Sequence, residues 1–245
     1  MKKIFRAVWA LWGFIFFVVT ILTALLFMTP CFVLKEPAKT KWFHKVSKVW
    51  MTVFLGGVGC PVTVLGKEHF KAGQNYVVVC NHNSFFDIFA ATPFLPNPNK
   101  SIAKASLAKI PVFAWVYGFG SVLVDRKNSN SRSSSFQQMK HVLDMGLDMV
   151  IYPEGTRNKT NNPLKEFYNG AFRLSADTGK PIIPVVIFNT RKILPAGEMF
   201  ALSPHRIYLQ ILPQVDPQHK TAAELKEEVF NKMWKAYEAN EKKFA

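Results

Sequence analysis

No charged residue occurs between Arg6 and Lys35. The run from Ala7 to Met28 is almost wholly Val, Leu, Ile, Phe, Trp and Ala. As a helix it is long enough to cross a hydrocarbon core of about 30 Å. A secretory leader has a shorter apolar region and a small-residue cleavage site, and Thr29-Pro30-Cys31-Phe32 offers a poor one. The run therefore reads as a retained membrane segment. Behind it, Lys39, Lys41, Lys45 and Lys48 alternate with Trp42, Phe43, Val46, Val49, Trp50 and Val53, the pattern of a basic interfacial helix. Both flanks of the apolar run are basic, so charge does not orient it. The two segments can span the bilayer or form a hairpin in one leaflet. Gly56-Gly57-Val58-Gly59 marks the joint, which divides the chain into a membrane-associated part (1–58) and a soluble domain (59–245).

From Val62 the pattern changes to short apolar runs alternating with helical ones. Val62–Leu65, Tyr76–Cys80, Ser101–Ala103, Val122–Val124, Asp148–Tyr152, Ile182–Phe188 and Ile207–Leu212 read as strands. Helices are expected at Phe85–Ala91 with Ser84 as N-cap, at Phe113–Tyr117, Ser133–Met145 and Gly170–Thr178, and after the Thr221/Glu224 capping box. Asn128–Ser135 reads as a polar surface loop. The fold class expected is α/β, a single domain with a central, mostly buried β-sheet flanked by helices, plus the N-terminal helical anchor.

Lys+Arg 31 against Asp+Glu 16 leaves a net charge of +15. Such a balance calls for an anionic partner: nucleic acid, an acidic membrane or a phosphorylated substrate. With 49% hydrophobic residues and 22 Phe, a nucleic-acid arm is excluded. Cys31, Cys60 and Cys80 have neither metal nor redox spacing, and no metal site is expected. Phosphate-loop, dinucleotide and serine-elbow signatures are missing.

The polar residues that remain collect in turns after apolar strands. Asn81-His82-Asn83-Ser84 ends the strand at Tyr76–Cys80, and Asp87 lies one helical turn on. If the chain reverses at Asn83-Ser84, the Asp87 carboxylate reaches a ring nitrogen of His82, fixes its tautomer and stabilises the imidazolium. Gly120–Arg126 places Asp125 and Arg126 after a second strand, and Glu154-Gly155-Thr156-Arg157 follows a third. An Arg beside a Gly on a turn suits bidentate binding of phosphate. If the three strands share one sheet, the turns meet at one edge. Surface ion pairs are the plainer reading of each turn taken alone.

Asn81-His82-(four residues)-Asp87, Gly120–Arg126, Glu154-Gly155-Thr156-Arg157 and Ile183-Pro184-Val185, in that order, resemble the four blocks of the glycerolipid acyltransferases. The resemblance covers roughly Gly66 to Leu194 and is nearest to the branch that acylates 1-acylglycerol-3-phosphate to phosphatidic acid. It implies that His82 is the general base and Asp87 its orienting partner. It places Asp125, Arg126, Glu154, Gly155, Thr156 and Arg157 in the acceptor site, with Lys104 as a further phosphate contact. The acyl donor it implies is a thioester of CoA or acyl carrier protein, with no cofactor, and the other partners are the bilayer and a lysophospholipid. Backbone N–H groups near Ser84 are the expected oxyanion donors. The expected location is the membrane, with the catalytic domain on the cytoplasmic side of the inner (plasma) membrane. One departure stands out: Phe167-Tyr168-Asn169-Gly170 lacks the basic residue usual before that Gly. It keeps another lysolipid acceptor, lyso-ornithine lipid or lysophosphatidylglycerol, in play. A non-catalytic membrane-binding protein is the remaining alternative.

Overall fold

In a computed structural model, which describes residues 2–125, 128–198 and 200–244, the apolar run forms helix α1 (Lys2–Met28). It turns back through residues 29–37 into α2 (Ala38–Gly57). The two helices are antiparallel, and tryptophans stitch them together. The indole N–H of Trp9 donates to Val58 O (3.0 Å), that of Trp12 to Gly57 O (3.1 Å) and that of Trp50 to Thr20 Oγ1 (3.1 Å). At the far end Trp42 donates to Phe27 O (2.8 Å). Each of these indoles, Trp12 and Trp42 on the exposed side included, thus meets its one polar need while its ring covers apolar surface. Where α1 turns into α2, Glu36 is paired with the buried Lys100 of the sheet at 2.8 Å. α1 is the one described helix long and apolar enough to cross a membrane.

The rest of the chain alternates as the sequence predicts: β1 (Val62–Leu65), β2 (Val77–Cys80), α3 (Phe86–Ala91), β3 (Asn99–Lys104), α4 (Phe113–Gly120), β4 (Ser121–Val124), α5 (Ser129–Asp144) and β5 (Asp148–Ile151). Then come α6 (Gly170–Thr178), β6 (Ile182–Phe188), the single-turn α7 (Thr190–Ile193), β7 (Ile207–Ile211) and α8 (Ala222–Asn240). The seven strands lie in the order β1-β7-β6-β2-β5-β3-β4. All neighbours are parallel except β6 and β7. Strands β2 to β6 therefore all end at the same edge, so the turns carrying His82, Asp125 and Glu154 leave the sheet on one side.

Both faces of the sheet are covered, which is why β2 and β6 are apolar throughout and β5 is apolar after its first residue, Asp148. Val78, Cys80, Val150, Ile183 and Val185 face α1, α2 and α3. Val77, Val79, Met149, Ile151 and Val186 face α5, α6 and α8. The helices before residue 58 thus share one core with the sheet.

Two local expectations change. Of the expected loop Asn128–Ser135, the part from Ser129 on is helical, because Asn128 Oδ1 caps α5 by accepting the N–H groups of Asn130 (2.9 Å) and Ser131 (3.2 Å). Ser135 then bonds back to Ser131 O. Asn and Ser favour helix ends through these side-chain bonds. Ser84 is not the N-cap residue of α3; Phe85 occupies that position, with no side-chain bond of its own.

One buried carboxylate lies far from the edge described above. Asp148, at the start of β5, accepts the N–H of Tyr76 (2.8 Å) on Oδ1, while Oδ2 is buried without a partner. Burial pushes its pKa up to about 7. The unfolded value is about 3.9, so between these the folded state binds more protons, and stability falls as pH rises from about 4 to about 7. Asp148→Asn keeps the acceptor for Tyr76 and removes the charge. Urea midpoints measured from pH 4.5 to 8 are expected to decline in the wild type and to decline less in the variant. Some slope will remain, because Glu154 titrates in the same window.

Candidate active site

The centre of the edge is the turn after β2. Asn81 extends the β2–β6 ladder with its side chain: Oδ1 accepts Ile187 N (2.7 Å) and Nδ2 donates to Ile187 O (3.0 Å). The chain then leaves the sheet at His82, and Asp87 in the first turn of α3 folds back under it. Asp87 is fully buried. Its Oδ2 lies 2.8 Å from His82 Nδ1 and accepts the N–H groups of Asn83 (2.6 Å) and Ser84 (2.7 Å). Its Oδ1 accepts the hydroxyl of Thr190. Both carboxylate oxygens are thus taken up by donors from the turn, the imidazole and α7. Nδ1 of His82 is then the protonated nitrogen, and Nε2 carries the free lone pair.

The expectation that N–H groups near Ser84 hold an oxyanion is narrowed by these bonds. Those of Asn83 and Ser84 are taken by Asp87, and that of Phe86 turns to Ser84 Oγ at 3.3 Å.

The loop after β5 grips the backbone of His82 from both sides. Glu154 Oε1 accepts the His82 N–H (2.9 Å), and the His82 carbonyl accepts Asn158 N–H (2.6 Å). Glu154 Oε2 accepts Lys165 N–H (3.2 Å). Glu154 is fully buried, and burial pushes its pKa up to about 7 against the pull of these two donors. Gly155 sits at φ +69°, a left-handed conformation that favours glycine. Thr156 Oγ1 accepts from Lys165 Nζ (2.8 Å). Arg157 is exposed beyond it.

Tyr152, the last residue before this loop, packs its ring 4.7 Å from that of His82 and donates its hydroxyl to Asp87 O (3.2 Å). Burial raises its pKa, so it stays a neutral donor. His82, Lys104 at the end of β3, Tyr117, Tyr152 and Gly155 line a cavity of about 160 Å³. An adjoining cavity of about 560 Å³ runs from Gly155 and Thr156 to Tyr168 and Arg132 of α5. Asp125 is exposed after β4, and its N–H donates to Ser131 Oγ (2.9 Å). Arg126 lies outside the described residues. The edge thus gathers His82, Asp87, Lys104, Gly155 and Thr156, and it holds Glu154 inside the protein rather than on its surface. Among the described residues no group of His, Cys, Asp or Glu is placed to hold a metal ion.

Three contributors have no signal in the motifs: Tyr152, Thr190 and Arg191. Arg191 donates to Asn83 Oδ1 (3.2 Å) and Thr160 O (2.7 Å). The pattern that finds Thr190 and Arg191 is the one that finds the other turns, polar residues straight after an apolar strand, here Asn189-Thr190-Arg191 behind β6.

Residues 61–188, just over half of the chain, match the model of the acyltransferase family. The chain belongs to the acyltransferase family. It is similar to a 1-acyl-sn-glycerol-3-phosphate acyltransferase of Chlamydomonas reinhardtii, 31% identical over 166 residues that make up 67% of this chain and 49% of that one. A chloroplastic 1-acyl-sn-glycerol-3-phosphate acyltransferase of Arabidopsis thaliana is 30% identical over 69% of this chain and 47% of its own. The chain spans about half the length of these relatives. Over nearly its whole length the acyltransferase fold matches the crystal structure of a 1-acyl-sn-glycerophosphate (LPA) acyltransferase from Thermotoga maritima. There the TM-score is 0.84 at 24% identity, covering 98% of this chain and 97% of that one.

The position of Glu154 makes its role measurable without substrate. Glu154→Ala leaves the N–H groups of His82 and Lys165 without acceptors, each worth about 1–3 kcal/mol when buried. Glu154→Gln retains one carbonyl acceptor. Urea unfolding of the ligand-free protein is expected to show a loss of stability, smaller for Gln than for Ala. An unchanged midpoint in both would count against a backbone-holding role.

Proposed function

We propose that this acyltransferase moves an acyl chain from a thioester of CoA or acyl carrier protein to the free hydroxyl of 1-acylglycerol-3-phosphate, giving phosphatidic acid. The observation that carries the reading is the His82–Asp87 pair at 2.8 Å, with His82 lining a cavity that Lys104 and Gly155 also line. Nε2 of His82 takes the hydroxyl proton as that oxygen attacks the thioester carbonyl; the C–O bond forms, the C–S bond breaks, and the proton passes to the departing thiolate. A positioned base contributes typically about 10²–10⁴-fold. The transfer balances without a cofactor. The names of the relatives support the choice of acceptor.

Lys104, Arg157 and Arg126 supply the positive charge for the acceptor phosphate, Gly155 lets the backbone approach it, and Thr156 and Asp125 shape the rim. Glu154 acts through the backbone of His82. An apolar cavity of about 500 Å³ bordered by Phe85, Phe89, Phe113 and Leu194 lies behind the catalytic turn and suits an acyl chain.

The same reading places the protein on a membrane. Phe14, Leu26, Phe27 and Val49 are each more than 60% exposed on α1 and α2, too much apolar surface for water. Because α1 is bonded lengthwise to α2, we favour a hairpin lying in one leaflet over a spanning helix, with the catalytic edge on the cytoplasmic side of the inner membrane. The second acceptor reading, another lysolipid, rests on Phe167-Tyr168-Asn169-Gly170, which presents no cation next to the larger cavity.

The test is thiol release from an acyl thioester, with and without lysophosphatidic acid, for wild type and His82→Ala. Release is expected to depend on the acceptor and to fall by about 10²–10⁴-fold in the variant; equal rates would sink the base assignment. A panel of lyso-ornithine lipid and lysophosphatidylglycerol under the same conditions decides the acceptor. Separately, Phe14→Glu with Leu26→Glu is expected to reduce flotation with phosphatidylglycerol vesicles, and undiminished flotation would remove α1 from the membrane contact.

A further inference from the structure

The turn that holds His82 is clamped from a segment none of the motifs contain. Asn189, at φ +72° directly after β6, turns the chain into α7. Its side-chain amide pins that turn to two distant carbonyls, Arg206 O (2.9 Å) and Phe244 O (2.6 Å). From α7, Thr190 donates to Asp87 Oδ1 and Arg191 to Asn83 Oδ1, and Leu194 O, just beyond α7, accepts the hydroxyl of Ser84 at 2.7 Å. Thr190 is fully buried.

We propose that Thr190 is a positioning residue for the His82–Asp87 pair, its hydroxyl locking the carboxylate oxygen that the histidine does not use. This rests on the general-base reading of His82. The terminal torsion of an aspartate is soft, so hydrogen bonds decide how the carboxylate plane is set against the imidazole. Oδ2 is held by two N–H groups and by Nδ1 of His82, and among the described residues the one side-chain donor on Oδ1 is Thr190. A hydroxyl bonded to a carboxylate is a strong, charge-assisted partner. Without it a buried oxygen of Asp87 lacks its acceptor bond. The carboxylate plane then loses its anchor and the ring of His82 loses its fixed direction. Catalysis is sensitive to errors of this kind, up to about 10²-fold for a displacement near 1 Å.

The experiment compares Thr190→Val, which has nearly the same shape without the hydroxyl, with Thr190→Ser, which keeps it. In acyl transfer kcat is expected to fall roughly 10- to 100-fold in the valine variant, with KM for donor and acceptor little changed, and serine is expected to restore it. Alongside, the histidine side-chain N–H signals are recorded by NMR on substrate-free protein, and the His82 signal is identified by its loss in His82→Ala. That signal is expected to shift or broaden in Thr190→Val and to match the wild type in Thr190→Ser. A valine variant with wild-type kcat and an unchanged His82 signal overturns the proposal, as does a serine variant as impaired as valine. If valine prevents folding, Thr190→Ala takes its place against serine. Should His82→Ala keep full activity, the general-base reading fails, and the NMR comparison still decides whether Thr190 orders the pair.

Discussion

The interaction on which the site depends is the full coordination of the Asp87 carboxylate. A buried carboxylate is costly unless its oxygens find donors. Here the donors are two backbone N–H groups of the turn, the imidazole and a hydroxyl from α7. The turn is folded around that charge as much as the charge serves the histidine. Removing any donor therefore acts on the conformation of the turn as well as on the electrostatics of His82.

The turn is in turn bracketed by the strands on either side of β2. From β5 come Glu154 and Asn158, which take the N–H and the carbonyl of His82; from β6 come Thr190, Arg191 and Leu194. This is possible because β5, β2 and β6 are adjacent and parallel, so their following segments emerge side by side. The topology converts three stretches distant in sequence into one rigid support, from which His82 joins Tyr152 and Gly155 in lining the cavity.

What could be read from the sequence follows from the range of the interactions. The strands, the His82–Asp87 pair and the shared edge were legible because they depend on periodicity and on a reversal within a few residues. The interior position of Glu154 was not. A carboxylate beside Gly155 and Arg157 looks like a surface group, and only the pairing of β2 with β5 shows that two N–H donors wait for it. Thr190 was missed for the same reason: its partner is distant in sequence and is fixed by sheet order. The start of α5 was misread because Asn128 and the serines after it carry a loop composition, although Asn and Ser are also the residues that cap helices.

α1 shows where hydropathy alone stops. A helix apolar on all sides belongs in lipid or in a protein core, and this one has surface of both kinds. Ile21, Ala24 and Met28 are buried against the domain, while Phe14, Leu22 and Leu26 face outward. Its contacts run along its length, from Arg6 paired with Glu198 at one end to Trp42 on Phe27 O at the other. Standing α1 upright in a bilayer would have to break these bonds or carry α2 with it, together with Phe89 and Phe113 that stack on Phe17. The indole–carbonyl bonds are stronger in an apolar setting than in water, so contact with lipid strengthens the arrangement that keeps α1 flat against the sheet. The helix that is long and apolar enough to cross a membrane is, for the same reason, part of the wall behind the His82 turn.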